Sequence, residues 1–233
     1  SILITFIQVY FDFNAHLIPY FCSRHMVLSN IHSIKINSET EVFLLSYDSF
    51  IIEDYLDSLT EKEILKLNSI GHKTRKEEFV ATRILRTEIV GKKEIQYSGI
   101  GAPYFNDRQF ISISHTTEIV GLAISTYKVG FDLEPIRDKA KRLKGKFLHD
   151  DEIIALQIES DLEMTTAWSM KESLYKLAGR KKIIFKDELR LVKNEKDWSG
   201  IIYNEKESIH TKMKTFHSGN NVLTINSEPI EIK

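Results

Sequence analysis

"FISISHTTEIVGLAISTYKVGFDLE", residues 110–134, is the stretch on which the fold turns. Its apolar runs are short and rich in β-branched and aromatic residues, separated by polar and turn-forming ones. That pattern predicts strands at 110–113, 119–125 and 129–134, the last two joined as a hairpin through Thr126–Lys128. The third run ends in two carboxylates, Asp132 and Glu134. Residues i and i+2 of a strand point to the same face, so these two lie roughly 6–7 Å apart along the backbone. Like charges that close repel unless water or a cation separates them.

Working outward towards the N-terminus, "TEVFLLSYD" (40–48) reads as a strand, and 50–70 contains a helix with Thr60 as N-cap and Glu63 completing a capping box. "KTRKEEFVATRILRTEIVG" (73–91) reads as a long helix with Phe79, Val80, Ile84, Leu85, Ile89 and Val90 on its apolar face and Gly91 as the stop. "GIGAPYFNDRQ" (99–109) reads as a loop. Towards the C-terminus, "DDEIIALQIE" (150–159) and "LEMTTAWSMKESLYKLAG" (162–179) are expected helices, the second ending at Gly179. Strands are expected at 187–193, 198–203, 208–216 and 221–226. Helix and strand blocks mix without strict βαβ alternation, which favours α+β.

The chain has 233 residues, 42% of them apolar and 28% charged, with a net charge of −1. This is the composition of a soluble globular protein, with no general polyanion-binding surface and hence no nucleic-acid partner expected. A single cysteine, Cys22, excludes an internal disulfide framework or a cysteine-rich zinc site and suits a reducing cytosol. Near the N-terminus, Gln8, Asp12, Asn14 and His16 interrupt an apolar stretch. No run reaches the roughly 20 residues of a spanning helix, so no membrane association is expected. Met26 suits a natural start, and residues 1–34 are set apart as an N-terminal extension.

Three local patterns carry chemistry. "SISHT" places Ser114 and His115 where a strand ends, "GFDLE" supplies the carboxylate pair, and "WSMKESLYK" sets Trp168, Glu172 and Lys176 at successive i, i+4 steps. Those three fall near one helix face, with Lys171 one position round. Each has a plain reading alone: a structural histidine, a solvated acidic pair, a core tryptophan, and an i, i+4 ion pair worth about 0.2–0.5 kcal/mol. Together they suit a hard cation such as Mg²⁺, which takes carboxylates plus substrate phosphate oxygens, with His and Lys holding the phosphates.

"ISISHT … VGFDLE … WSMKESLYK" resembles the 4′-phosphopantetheinyl transferase superfamily, in its longer, single-chain, surfactin-synthetase-activator-like type. The likeness covers about residues 40–227, and the Trp-x-x-Lys-Glu block at 168–172 is its most specific part. It implies an α+β fold of two similar halves, 35–126 and 127–233, related by a pseudo-twofold with the active site in the cleft between them. It implies transfer of phosphopantetheine from coenzyme A to a serine of an apo acyl or peptidyl carrier protein, releasing 3′,5′-ADP. By motif position, Asp132, Glu134 and Glu172 would ligate Mg²⁺ (or Mn²⁺). Ser114, His115 and Lys176 would contact the coenzyme, as would Arg83 and Arg86 of "ATRILR"; Lys171 would either face phosphate or be structural. His115, Glu172 and Lys176 form the expected catalytic set, with Glu172 or a metal-bound water as general base. The same likeness implies a cytoplasmic monomer.

The chain departs from the family pattern at "GAP", where Ala102 stands in place of a lysine. Two other readings stay open. One is another magnesium-dependent phosphoryl or nucleotidyl transferase; the other is a degenerate carrier-binding module. The basic runs 137–146 and 180–182 are either solvated surface or a rim for an acidic carrier.

Overall fold

A computed structural model describes residues 31–179, 181–195 and 197–233. Residues 1–30, with the suggested start at Met26, lie outside the described residues. Residues 31–34 of the expected extension belong to strand β1 (Ile31–Lys35).

Two antiparallel sheets form the centre. The first holds β1, β2 (Thr40–Ser46), β6 (Ile119–Ser125) and β5 (Phe110–His115), in the order β1-β2-β6-β5. The second runs β7-β11-β10-β9-β8, with β12 (Glu231–Ile232) also pairing β10. Its strands are β7 (Phe131–Pro135), β8 (Leu189–Asn194), β9 (Asp197–Tyr203), β10 (Ser208–Ser218) and β11 (Asn221–Asn226). A small ribbon pairs β3 (Gln96–Tyr97) with β4 (Pro103–Tyr104), so the expected loop at 99–109 contains a short strand.

Helices cover the outer faces. In chain order they are α1 (Glu61–Asn68), α2 (Lys73–Val90), α3 (Lys139–Arg142), α4 (Lys144–Phe147), α5 (Asp150–Leu156), α6 (Asp161–Ala178) and α7 (Phe185–Glu188). The Thr60–Glu63 capping box forms as expected at the start of α1. Helix α2 ends at Gly91 and α6 at a left-handed Gly179, φ 62°.

Strand alternation sorts the side chains into layers. Leu45, Val120 and Leu122 face α2 and its neighbours. Val42, Leu44, Ile119 and Ala123 face the second sheet, where Phe131, Leu133, Leu223 and Ile225 meet them. The layer order is therefore helix, sheet, sheet, helix. Because Phe131 and Leu133 face inwards, Asp132 and Glu134 must face outwards, towards α6.

The expected hairpin between the second and third strands does not form. Strand β6 is paired on one edge by β2 and on the other by β5, so it has no edge left for β7. β5 and β6 make the hairpin instead, and β7 crosses to the second sheet to pair β11. Two serines of β5 stitch the sheets together. Ser112 Oγ accepts from Phe131 N at 3.0 Å, and Ser114 Oγ accepts from Leu133 N at 3.2 Å. Residues 112 and 114 share a face, as do the amides of 131 and 133, so hydroxyls do here what ladder carbonyls do elsewhere.

Close approach of α6 to β7 requires Gly130. A Cβ there would lie 2.1 Å from the Ser173 carbonyl oxygen, a backbone atom that cannot swing aside. Gly130→Ala is expected to destabilise by about 1–3 kcal/mol through overpacking. Urea denaturation checks this, and unchanged stability would mean that α6 sits further from β7.

Candidate active site

Asp132 is buried and held on both oxygens. Ser114 Oγ donates to Oδ1 at 2.9 Å, Lys176 Nζ donates to Oδ1 at 2.8 Å, and Ser169 Oγ donates to Oδ2 at 2.9 Å. Glu134, two residues on, accepts from Trp168 Nε1 at 2.9 Å. Trp168 is fixed in turn between Phe147, edge-on at 5.2 Å, and Phe185, stacked at 5.8 Å. The i, i+4 face expected of residues 168, 172 and 176 is real, and it lies over β7.

The plain Glu172–Lys176 ion pair is absent among the described residues. Lys176 reaches instead to Asp132 and to the carbonyl of Phe131 at 2.9 Å. Glu172 has no hydrogen-bond or ion-pair partner among the described residues. Burial first, then the neighbouring Asp132, push its carboxyl up to about 7, with Glu134 adding to the effect and Lys176 opposing it. Glu134 is likewise raised, by burial and by Asp132. Three carboxylates thus crowd one amine.

Next to this cluster, a cleft of about 590 Å³ opens between α2, the β3–β4 ribbon, β5 and α6. Arg75, Arg83, His115 and Lys176 line it, together with Tyr97, Ala102 and Tyr175. Arg83 stacks over Phe79 at 3.6 Å, pairs with Glu63 at 3.2 Å and bonds the Tyr97 hydroxyl at 3.3 Å. His115 sits 3.4 Å from Glu78. Burial lowers its pKa, Glu78 opposes that, and the cations Arg75 and Lys176 reinforce it. The wall thus carries Arg75, Arg83, His115 and Lys176, with Glu78 between Arg75 and His115.

Several expected residues lie elsewhere. Arg86 is fully buried, bonding Glu63 at 3.0 Å and the carbonyls of Ser58 (2.7 Å) and Lys93 (2.5 Å); it does not line the cleft. Lys171 is also fully buried, on the far side of α6, against Glu152 at 2.8 Å and the carbonyls of Phe185 and Leu189. Successive helical residues point about 100° apart, so Glu172 facing the site sends Lys171 into the core. Ser114, expected beside coenzyme phosphates, is buried against Asp132 and does not line the cleft. Arg75, Glu78, Tyr97 and Tyr175 do line it and carried no motif signal; Arg75 pairs there with Glu78 at 3.2 Å.

Among the described residues, no three acidic, histidine or cysteine side chains form a ready-made metal cage. The chemistry of Asp132, Glu134 and Glu172 nevertheless fits a hard divalent cation. All are oxygen donors, and Glu172 is a carboxyl without a partner among the described residues, its pKa raised by burial first and then by Asp132.

The same crowding sets a pH dependence. The folded pKa of Glu172 is raised, so its contribution to stability is full below about 4.5 and is lost as pH rises through about 7. In chelator, stability should fall between pH 5 and pH 8 by roughly 1–3 kcal/mol more in the unaltered protein than in Glu172→Gln, allowing for partial exposure of the carboxyl. Urea melts at both pH values measure the difference. Equal slopes would place Glu172 in water.

A model of the 4′-phosphopantetheinyl transferase superfamily matches residues 128–225. Over 113 residues the chain is 29% identical to "4′-phosphopantetheinyl transferase gsp" of Aneurinibacillus migulanus, covering 47% of this chain and 48% of that protein. Over 120 residues it is 36% identical to "Enterobactin synthase component D" of Salmonella typhi, covering 48% of this chain and 51% of that protein. The chain spans about half the length of the curated relatives it matches. The matched segment contains β7 and α6, and so every carboxylate of the cluster and Lys176. From Lys128 to Ile225 the chain is thus similar to the 4′-phosphopantetheinyl transferase superfamily.

Proposed function

We propose that the protein transfers the 4′-phosphopantetheine group of coenzyme A to a serine hydroxyl of an apo acyl or peptidyl carrier protein. The observation that carries this reading is the crowding of Asp132, Glu134 and Glu172 around Lys176, which also lines a cleft shared with Arg75, Arg83 and His115.

In the reaction, the carrier serine oxygen bonds to the phosphorus that bears the pantetheine arm. The bond from that phosphorus to the bridging oxygen breaks, and 3′,5′-ADP leaves with the electron pair. Arg75, Arg83 and His115 would hold the coenzyme's phosphates, as preorganised donors in a partly dry cleft do. Asp132, Glu134 and Glu172 would hold Mg²⁺. When bound, that ion supplies neutralisation of the pyrophosphate and polarisation of the attacked phosphorus. Lys176 is placed to shift from Asp132 to the charge developing on the departing phosphate. Glu172, poised near neutral pH and otherwise unpaired, is the carboxylate suited to take the serine proton.

The two halves would be related by an approximate twofold. In support, each sets one long helix, α2 or α6, on the outer face of an antiparallel sheet. The expected division at 126/127 falls in the segment where the chain leaves the first sheet. No helix among the described residues is long and apolar enough to cross a membrane. A cytoplasmic, monomeric enzyme is the form proposed.

The carrier would dock over α3 and α4. The basic run forms these two short helices, Arg142 and Lys144 are exposed, and Arg137 and Lys139 adjoin Glu134 and Trp168 in a small hollow. Charge pairing at such a rim raises the association rate and weakens with salt. The double change Arg142→Glu with Lys144→Glu should raise the KM for an acidic carrier at low salt and leave the KM for coenzyme A alone. Unchanged carrier kinetics would return the run to solvated surface. Arg180, in the second basic run, lies outside the described residues.

The reading is tested with a fluorescent coenzyme A analogue and purified apo carrier, resolved by gel. Label should pass to the carrier in Mg²⁺ and not in chelator. Mg²⁺ binding with no labelling of any carrier would favour a different phosphoryl or nucleotidyl transferase.

A further inference from the structure

We propose that Ser169 and Thr224 are positioning residues for Asp132: a buried chain of hydroxyls holds that carboxylate in one orientation for the divalent cation. The inference deepens the metal reading above and rests on it.

The chain starts from topology. Thr224 of β11 lies directly opposite Asp132 of β7 in the antiparallel register, so both side chains share one face of the sheet. Ser169 and Ser173 are four apart on α6 and fall on the helix face packed against them. Ser169 Oγ contacts Asp132 Oδ2 and Thr224 Oγ1, both at 2.9 Å. Ser173 Oγ contacts Thr224 Oγ1 at 2.8 Å and the Thr224 carbonyl at 2.9 Å. Ser169, Ser173 and Thr224 are all fully buried.

Proton counting gives the chain a direction. A hydroxyl has one proton to donate. Ser169 gives its proton to the carboxylate, so Thr224 must be the donor in the Thr224–Ser169 contact. The proton of Ser173 then goes to the hydroxyl or the carbonyl of Thr224, both of which can accept. The Thr224 and Ser169 donors both point towards Asp132, and bonds aligned in this way polarise one another.

The count at Asp132 itself is also informative. A carboxylate has about four lone-pair sites. Ser114 and Lys176 take both on Oδ1, and Ser169 takes one on Oδ2. One site on Oδ2 is left for a cation, on the oxygen that Ser169 fixes. If α6 needed only to pack on the sheet, alanine and valine would fill these positions without three buried hydroxyls to satisfy.

The test is Mn²⁺ affinity of the full chain, read from the free-ion paramagnetic signal without coenzyme A or carrier. Ser169→Ala should weaken Mn²⁺ binding by about 10- to 100-fold, the usual effect of removing a group that orients a metal ligand. Thr224→Val should weaken it in the same direction, although the Thr224 hydroxyl reaches Asp132 only through Ser169, and Thr224→Ser should restore it. In an Asp132→Asn background, Ser169→Ala should add no further loss. Unchanged Mn²⁺ affinity in Ser169→Ala and Thr224→Val, whatever their melting temperatures, overturns the proposal and leaves the metal reading standing. An unaltered chain that binds no Mn²⁺ overturns both.

Discussion

Glu172→Ala should lower turnover in the proposed carrier modification by at least ~10²-fold, the scale of losing one preorganised contact to transition-state charge, and should not destabilise the metal-free protein. The two outcomes follow from one observation. Among the described residues Glu172 has no hydrogen-bond or ion-pair partner, while burial and two neighbouring carboxylates push its pKa up to about 7. Removing it relieves like-charge crowding, so the melting temperature in chelator should hold or rise. Asp132→Ala should cost as much turnover and be destabilising too. It orphans Ser114, Ser169 and Lys176, and a buried polar group left without its partner costs about 1–3 kcal/mol. The sequence suggests exposed cleft acids that add little to packing; for Asp132, which is buried, the structure corrects that. Single-turnover kinetics and thermal melts of the two variants, side by side, check the pair. Near-normal turnover in Glu172→Ala with Mg²⁺ present would remove Glu172 from the chemistry.

Lys171→Ala should do the reverse: a large loss of stability with little change in how the folded protein handles coenzyme A. Lys171 and Glu152 form a fully buried pair at 2.8 Å. Burial brings the lysine down to about 8, and Glu152 opposes the shift. Glu152 also accepts from the amides of His149 and Leu191, which ties α5 and β8 to α6. Breaking such a pair from one side leaves an uncompensated buried charge and costs about 3–5 kcal/mol. Arg190 Nε, 3.8 Å from Glu152, softens the loss towards the lower figure. Urea denaturation gives the stability, and calorimetry on the folded fraction gives coenzyme affinity. A stable Lys171→Ala protein with a sharply raised KM for coenzyme A would restore the phosphate role that the motif suggested.

What the sequence made legible was local. The Thr60–Glu63 box, helix α2 with its stop at Gly91, and the placing of Trp168, Glu172 and Lys176 on one helix face all depend on spacing within a few residues. The misjudged features depend on partners far along the chain. Whether β6 pairs β7 is decided by β2, some 80 residues earlier, which takes the edge a hairpin would need. Whether an arginine serves the site or the core is decided by what it meets. Arg83 reaches the cleft, while Arg86, one turn on, is captured by Glu63 and two carbonyls. Adjacent letters in "KE" at 171–172 are a core ion pair and a site carboxylate. The cleft wall of Arg75, Glu78, Tyr97 and Tyr175 has no pattern in one dimension, because α2, the β3–β4 ribbon and α6 meet only in the folded chain.

The most direct measurement is the intact mass of a panel of apo acyl and peptidyl carrier proteins after incubation with this protein, coenzyme A and Mg²⁺. The account predicts that at least one carrier gains the mass of a phosphopantetheine group on a serine. An equal amount of 3′,5′-ADP should be released, and Glu172→Ala should abolish both signals. Folded protein that binds coenzyme A and Mg²⁺ yet leaves every carrier at its apo mass would contradict it.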